Sequence, residues 1–210
     1  MTITYNHNEL GNYYVPPNQK FKICVDIGAN CGTFSLKYQD VFEKIHAYEP
    51  QSECFNICKE KFLQYKHITV YEEAVYYDDK SSVTMVSHIN NDSGSCAIIS
   101  DIIKNEGWTD NIVNYDIKTV DLDKIFERLD NKDIDYMKVD CETSEFNFLY
   151  NKDLSKIKRL AIEIHAQMGE ENWFILINYI LKYFNNVQNA NFDYNKNFNK
   201  EFYFESKFIL

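Results

Sequence analysis

Several apolar segments of this 210-residue chain end in an acidic residue or a histidine. Asp26 ends the segment KICVDI, Glu49 ends KIHAYE and Asp140 ends DIDYMKVD. His165 ends a fourth segment, IKRLAIEIH. Burying such charge is costly unless the side chain is paired or lies at an open edge. Because open α/β sheets bind ligands beyond the carboxyl ends of their strands, we expect these side chains to lie around one ligand site.

The stretch DIGANCG at 26–32 joins the first apolar segment to a predicted helix. Gly28 permits a turn with positive φ and lets a ligand lie against bare backbone, and Gly32 lets the helix pack closely. A G-x-G-x-x-G loop aims its N–H groups at a pyrophosphate, but Asn30 replaces the middle glycine here. Asp26 disfavours an anion and favours a cation. S-adenosylmethionine, which carries a sulfonium and an ammonium but no phosphate, is such a ligand; a tight turn without a ligand is the alternative.

The ends of the second and third predicted strands could contact the rest of this cofactor. Glu49 follows Asp26 by 23 residues, and an acid at about this distance from a glycine loop accepts hydrogen bonds from ribose hydroxyls. In the segment YEEAVYYDD, Glu73 could accept a hydrogen bond from adenine, with Ala74 and Val75 beside its ring. A solvated loop glutamate and ordinary strand-end residues are the alternatives.

Charged residues also alternate at the ends of two later strands. In MKVDCETSE, Lys138, Asp140 and Glu142 would point to one side if the strand persists. Glu163 and His165 alternate in the same way, which makes His165 a candidate base at the ligand edge. A Lys–carboxylate pair and a surface histidine are the structural alternatives.

Composition and charge exclude several classes of protein. A hydrophobic content of 45% and a net charge of −10 indicate a globular domain without a broad nucleic-acid surface. The N-terminus does not resemble a signal peptide, and no apolar run is long enough to span a membrane. The six cysteines form no CxxC pair, and Cys54 and Cys58 lack two further zinc ligands nearby. We therefore expect a cytoplasmic protein with reduced thiols and no nucleic-acid or membrane partner.

Predicted strands and helices alternate along the chain. We predict strands at 22–27, 44–49, 67–75, 81–89 (more exposed), 114–120, 133–140 and 157–165, and helices at 33–38, 52–65, 121–129, 144–150 and 170–184. Residues 90–110 predict a long loop or broken helix, and the tail predicts an antiparallel hairpin. This order predicts a Rossmann-like α/β fold with a mostly parallel sheet. A single domain at 21–210 follows a polar leader at 1–20.

Six motifs occur in a fixed order between residues 22 and 165: VDIGANCGTF, AYEP, EEAVYYDDKSSVTM, TVDLDKIF, IDYMKVDCETSEFNFL and LAIEIH. Together they resemble the FkbM family of S-adenosylmethionine-dependent methyltransferases. Many methyltransferases share the first motif, whereas the K-x-D-x-E stretch after TVDLD points to this family. The resemblance implies the seven-stranded class I methyltransferase fold and O-methylation of a hydroxyl on a sugar, glycan or other small molecule.

The family motifs also imply roles for individual residues. The resemblance assigns Asp26, Gly28 and Gly32 to the methionine part of the cofactor, and Asn30 lies in the same loop. It assigns Glu49 to the ribose, and Ala74 and Val75 to the adenine. It places Asp140 and Glu142 at the methyl-transfer region, with Asp140 also as a cofactor contact. Two positions depart from the family pattern. Thr143 stands where the family commonly has glycine, so we expect a different loop there because threonine resists positive φ. Glu73 stands where asparagine is common. The short chain leaves little room for a separate substrate-binding cap.

Methyl transfer to a hydroxyl needs a positioned acceptor and a route for its proton. His165 is the candidate general base, with Asp140 or Glu142 as its rival, and a nearby carboxylate could orient the imidazole. Mg²⁺ held by Asp140, Glu142 and the acceptor oxygens is a second possibility, and we assign no residue as a metal ligand. A catalytically inactive binding module and a nicotinamide-dependent oxidoreductase are the alternative functions.

Overall fold

The computed structural model describes residues 13–77, 83, 85–87, 96–98, 117–188 and 200–208, with the backbone alone at 87, 96–98 and 186–188. The described strands are β1 (Phe21–Ile27), β2 (Phe42–Tyr48), β3 (Ile68–Tyr71), β4 (Ala74–Val75), β5 (Met85–Ser87), β6 (Cys96–Ile98), β7 (Thr119–Val120), β8 (Tyr136–Val139), β9 (Arg159–Ile164), β10 (Phe184–Gln188) and β11 (Lys200–Ser206). The described helices are α1 (Thr33–Lys37), α2 (Ser52–Phe62), α3 (Leu122–Arg128), α4 (Glu145–Leu149) and α5 (Glu170–Tyr183), with a 3₁₀ turn at Ala166–Met168.

Seven strands form the main sheet in the order β10-β11-β9-β8-β1-β2-β3. All neighbours from β9 to β3 pair in parallel, and β11 runs antiparallel to both β9 and β10. The strand order reverses between β1 and β8, where open α/β sheets form their ligand crevice. The sheet confirms the predicted α/β fold, mostly parallel with antiparallel strands at the C-terminal end.

Apolar residues pack on both faces of the sheet, so the central strands are buried on both sides. In β1, Val25 joins a cluster that includes Trp173 of α5, whereas its neighbour Cys24 joins a cluster on the opposite face with Phe62 of α2. The alternation arises from the two-residue period of a strand. The two layers of helices thereby fix where the carboxyl ends of β1, β2, β8 and β9 meet.

The strands β1, β2, β8 and β9 and the five described helices begin and end within three residues of the prediction, but the predicted strand 67–75 is wrong as a single element. β3 ends at Tyr71, and β4 pairs with β7 outside the main sheet. The chain turns because Glu73 points to Lys118 and Arg128, while the Ala74 N–H donates to the Lys118 carbonyl. The third strand is therefore shorter than the sequence indicates.

The predicted exposed strand at 81–89 contains β5, but Met85 and Val86 are buried rather than exposed. They are buried because this segment packs with β4 and Ile117 in a small apolar cluster. Most of the predicted loop or broken helix at 90–110 lies outside the described residues, and its described part, β6, pairs with β5. Residues 114–116 of the predicted strand 114–120 also lie outside them, and Thr119–Val120 form its strand part.

The end of the predicted polar leader packs against the domain. Tyr13 is buried and its ring stands edge-on to Phe34, with 6.1 Å between centroids. Tyr14 packs edge-on against Tyr203 of β11, with 4.9 Å between centroids. Residues 1–12 of the leader lie outside the described part of the chain, and the domain limits stay a prediction. Tyr13 thereby brings a hydroxyl to the edge where β8 and β9 end.

Candidate functional site

The loop after β1 owes its two glycines to close packing. Gly28 has φ +72°, and a Cβ there would lie 1.7 Å from the backbone oxygen of Asp140. Gly32 has φ +80°, and a Cβ there would lie 2.6 Å from the ring of Phe62. The loop thus fits against the end of β8 and against α2. Close packing was predicted at Gly32, but the sequence did not identify α2 as its neighbour or predict the contact of Gly28 with the end of β8. Contacts of Gly28, Gly32 and Asn30 with a cofactor stay a prediction.

Asp26 lies below this loop rather than on its surface. Its carboxylate is fully buried, accepts a hydrogen bond from the Ser35 hydroxyl at 2.7 Å and pairs with the Lys138 ammonium at 3.3 Å. Lys138 also donates to the carbonyl oxygens of Ile27 and Gly28, at 3.2 and 2.5 Å. Burial alone would lower the pKa of Lys138, but the charges of Asp26 and Asp140 raise it overall. Lys138 also lies 3.7 Å from Asp140, so the Lys–carboxylate pair considered as a structural alternative is present. The pair of Lys138 with Asp26, which the sequence analysis did not foresee, anchors the glycine loop.

Glu49 lies between the glycine loop and the start of α2. It is 6% exposed, and its two oxygens accept hydrogen bonds from the Asn30 N–H at 2.7 Å and the Gln51 N–H at 2.8 Å. Burial raises the pKa of Glu49 to about 7, against the effect of these two hydrogen bonds. This carboxyl group is therefore close to half ionised at neutral pH, and its place beside the loop suits the predicted ribose contact, which stays a prediction.

Glu73 is engaged by two cations. Its carboxylate pairs with Lys118 at 2.9 Å and with both terminal nitrogens of Arg128, whose guanidinium lies 4.8 Å from the centroid of the Tyr71 ring. Burial alone would raise the pKa of Glu73, but these partners lower it overall. Ala74 and Val75 beside it are buried. The predicted adenine contacts of these three residues stay predictions.

His165 is held between two glutamates at the carboxyl end of β9. The imidazole is buried, its Nδ1 lies 2.6 Å from Oε1 of Glu145, and its Nε2 lies 3.3 Å from Oε2 of Glu142. Burial alone would lower the pKa of His165, but the two carboxylates raise it well above its ordinary value. Glu145 is fully buried and was missed by the sequence analysis. Its signal was available, because it is the final acid of the motif K-x-D-x-E-x-x-E.

The chain between β8 and α4 leaves the strand conformation at once. β8 ends at Val139, and Glu142 and Thr143 have φ of +48° and +79°. The expectation that Lys138, Asp140 and Glu142 alternate on one strand is therefore wrong. Thr143 takes the left-handed conformation that glycine favours, so the expected different loop is also wrong in this respect. The turn brings Glu142 back towards His165 and lets the Thr143 N–H donate to Glu145 at 3.3 Å.

Three potential ligand groups gather beside His165. Asp140, Glu163 and His165 each offer one ligand atom, and these atoms lie within 4.8 Å of one another. Glu163 Oε2 also accepts a hydrogen bond from the Tyr13 hydroxyl at 3.4 Å. Asp140 in turn lies 3.7 Å from Lys138. The structure thus brings together Asp140, Glu142 and His165, as the sequence predicted, and adds Glu145, Glu163 and Tyr13.

Three of the cysteines lie close to the glycine loop, Cys31 within it and Cys54 and Cys58 on α2. None of the five cysteines whose side chains are described, at 24, 31, 54, 58 and 141, forms a disulfide. Cys31 and Cys54 are buried, with 3.8 Å between their sulfur atoms. The sequence analysis considered Cys54 with Cys58 and did not foresee that Cys31 lies beside Cys54. A hydrogen bond from Cys54 lowers the pKa of Cys31 to about 7.

Similar proteins agree with this fold and motif set. The Methyltransferase FkbM domain matches residues 26–194. The crystal structure of the methyltransferase FkbM from Methylobacillus flagellatus KT matches 87% of this chain and 43% of its own, with 18% identity and a TM-score of 0.51. The fibrillarin pre-rRNA processing protein of Methanococcus jannaschii matches 92% of this chain and 70% of its own, with 12% identity and a TM-score of 0.50. These identities show the fold alone.

The family of this chain is shown by its domain match rather than by any single relative. No functionally curated protein matches the chain. Among the described residues, no helix has the length and apolar character needed to cross a bilayer. The chain spans less than half of the M. flagellatus protein, so the acceptor and partners of that protein are not transferred to it. The domain match extends over most of the 210 residues, and the chain therefore belongs to the FkbM methyltransferase family.

Proposed function

We propose that this protein is an S-adenosylmethionine-dependent O-methyltransferase that acts on a hydroxyl of a sugar, glycan or other small molecule. The observation that carries the proposal is the placement of Glu49 and the acid cluster of β8 and β9 around the glycine loop of β1, in a chain of the FkbM methyltransferase family. The family match favours this function over the nicotinamide-dependent oxidoreductase.

The charges at this edge suit the proposed cofactor. Asp140 and Glu142 are partly exposed beside the loop, with side-chain exposures of 22% and 25%. Such carboxylates favour the sulfonium and ammonium of S-adenosylmethionine, and Glu49 is placed to accept hydrogen bonds from its ribose. The bound cofactor would supply an electrophilic methyl group. The protein's part is to orient that methyl group towards the acceptor oxygen and to remove the acceptor's proton.

The contacts of His165 favour a carboxylate as the group that accepts this proton. Glu145 and Glu142 already engage both ring nitrogens, and the imidazole is buried. His165 therefore serves to position Glu142, while an oxygen of Glu142 or Asp140 takes the proton from the acceptor hydroxyl as its bond to carbon forms. This assignment reverses the order of the candidates given by the sequence, where His165 was preferred.

The acceptor is proposed on chemistry alone. The net charge of −10 disfavours a nucleic acid, so we propose a small, uncharged or cationic hydroxyl compound and no nucleic-acid or membrane partner. Thr143, which stands where the family commonly has glycine, is the residue that would support a catalytically inactive module. Its backbone keeps the conformation expected of glycine, so the substitution costs strain without redirecting the loop.

Calorimetric titration with S-adenosylhomocysteine tests the cofactor. We expect micromolar binding by the wild type, at least tenfold weaker binding by Glu49→Gln and unchanged binding by Glu53→Gln, an exposed control on α2. Circular dichroism checks that each variant is folded. A folded wild type that binds no S-adenosylhomocysteine would overturn the proposal.

Transfer itself is tested by incubating the protein with methyl-labelled S-adenosylmethionine and a panel of sugars, oligosaccharides and other alcohols. We expect labelled product from at least one hydroxyl compound, with loss of transfer but retention of S-adenosylhomocysteine binding in Glu142→Gln. Cofactor binding without transfer to any member of a broad panel would favour the inactive binding module instead.

A further inference from the structure

A group of acidic and imidazole side chains gathers at the end of β9. It consists of Asp140, Glu163 and His165, whose ligand atoms lie within 4.8 Å of one another. Asp140 is also a proposed cofactor contact, whereas Glu163 has no role in the proposed function. We propose that these three residues bind a divalent first-row transition-metal ion such as Mn²⁺. The proposal differs from the all-oxygen Mg²⁺ site considered from the sequence, because a histidine nitrogen and Glu163 join Asp140 as protein ligands.

The spacing is close to that of a formed metal site. Ligand atoms bonded at about 2.1 Å to one ion stand roughly 3 to 4 Å apart. The observed limit of 4.8 Å therefore needs shifts of a few tenths of an ångström to about one ångström by side chains. Asp140 and Glu163 are partly buried and His165 is buried, so this is not a cluster of mobile surface acids.

The second observation is the hydrogen-bonding of the histidine. A metal-binding histidine usually donates its other ring N–H to a carboxylate, which fixes the ring and the tautomer. Glu145 is fully buried and holds Nδ1 of His165 at 2.6 Å. Nε2 is the remaining ring nitrogen and lies 3.3 Å from Oε2 of Glu142, so an ion bound to Nε2 would replace this contact and take Glu142 as a fourth ligand.

Two hydrogen-bond and charge features fit the same site. The Tyr13 hydroxyl donates to Oε2 of Glu163 at 3.4 Å, which helps to hold this carboxylate beside His165. Lys138 lies 3.7 Å from Asp140 but is shared with Asp26 at 3.3 Å. Glu201 stands directly opposite Glu163 on β11 and adds a further carboxylate to this region. A divalent cation offsets the repulsion among such carboxylates.

The donor set selects the class of ion. An imidazole nitrogen with two or three carboxylates suits Mn²⁺, Fe²⁺, Co²⁺ or Zn²⁺, whereas Mg²⁺ is bound mainly by oxygen and water. The role of the ion rests on the proposed function. An ion at this position would coordinate the acceptor hydroxyl and lower its pKa, so that its proton leaves to a neighbouring carboxylate or to water before the methyl group is transferred.

Electron paramagnetic resonance of Mn²⁺ tests the site directly. The full chain is freed of metal with a chelator and titrated with Mn²⁺, and the signal of the free aqueous ion reports binding. We expect one equivalent to bind, with at least tenfold weaker binding in Glu163→Gln and unchanged binding in Glu171→Gln, an exposed control on α5. Glu163→Gln keeps the size of the side chain and its possible contact with Tyr13, and circular dichroism confirms its fold.

Absence of Mn²⁺ binding at millimolar concentration, or binding that Glu163→Gln leaves unchanged, overturns the metal site. Calorimetry with S-adenosylhomocysteine on the same samples separates this failure from that of the proposed function. Cofactor binding without Mn²⁺ binding refutes the metal site alone. Mn²⁺ binding lost in Glu163→Gln, without cofactor binding, refutes the proposed function and leaves the metal site standing.

Discussion

Raising the pH from 5.5 to 7.5 is expected to strengthen the binding of S-adenosylhomocysteine, because Glu49 must be ionised to accept hydrogen bonds from both ribose hydroxyls. Burial raises the pKa of Glu49 to about 7 in the free protein. At pH 5.5 the group is therefore mostly protonated and can donate one hydrogen bond in place of accepting two. Binding must then release its proton, which makes the affinity depend on pH.

The size of the effect is set by the two pKa values of the linkage. If the ribose hydroxyls return the pKa of Glu49 to the ordinary value of 4.5, the affinity approaches a tenfold gain per pH unit below pH 7 and levels off above it. Between pH 5.5 and 7.5 the association constant should rise roughly 20-fold, or about 1.8 kcal/mol. The affinity rises with pH because the pKa of Glu49 in the free protein lies above its ordinary value.

Calorimetric titrations at constant ionic strength measure this dependence. Glu49→Gln should bind more weakly at pH 7.5 and lose most of the pH dependence, whereas the exposed control Glu53→Gln should keep it. A wild-type affinity that is flat over this range would refute the reasoning about the burial of Glu49. A pH dependence that persists in Glu49→Gln would assign the titration to another group.

Three substitutions test the packing around the site by urea denaturation and thermal melting. Gly28→Ala should lower the free energy of unfolding by more than about 3 kcal/mol, because its Cβ would meet a backbone oxygen at 1.7 Å. Gly169→Ala should lower it less, because a Cβ there meets nothing within 4 Å although φ is also positive. Equal losses in the two variants would contradict this account. Thr143→Gly should raise the free energy of unfolding by about 1 kcal/mol, or the melting temperature by roughly 2–4 °C, because it relieves a positive φ. A lower melting temperature would show instead that the threonine side chain stabilises the loop. Lys138→Met should lower the free energy of unfolding by about 3–5 kcal/mol, because it leaves the buried carboxylate of Asp26 without its cation. Adding Asp26→Asn to this variant should restore part of that loss. A double variant whose loss is the sum of the two single losses would show that the pair is not coupled.

The main sheet could be predicted from the sequence because its strands are continuous apolar runs. KICVDI and IKRLAIEIH are buried on both faces, and their burial pattern agrees with their composition. The predicted strand 67–75 failed for a physical reason. Ile68 to Tyr71 favour strand, but Glu72, Glu73 and Ala74 do not. The ion pairs of Glu73 with distant Lys118 and Arg128 turn the chain after Tyr71, and no local pattern indicates such partners.

The residues of the candidate site were predicted better than the contacts among them. Strand-end acids and histidine can be identified from the sequence, since charge at the end of an apolar run is unusual. Glu145 could have been identified from its motif, but its contact with His165, 20 positions away, could not be predicted. Tyr13 could not be predicted as a site residue, because it acts through a contact with Glu163, 150 positions away. Gly28 was predicted correctly as a turn, but the neighbour that requires a glycine, the backbone of Asp140, is visible only when β1 and β8 are paired.

By itself the sequence determined the α/β fold and the edge of the sheet where Asp26, Glu49, Asp140 and His165 gather, because period, apolar runs and strand ends are local properties of the chain. The tertiary structure decided which charges neutralise one another. Asp26 is buried against Lys138, and His165 lies between Glu142 and Glu145. Burial and the distance between charges set the pKa and the pairing of each group, and both quantities arise only when segments far apart in the chain pack together.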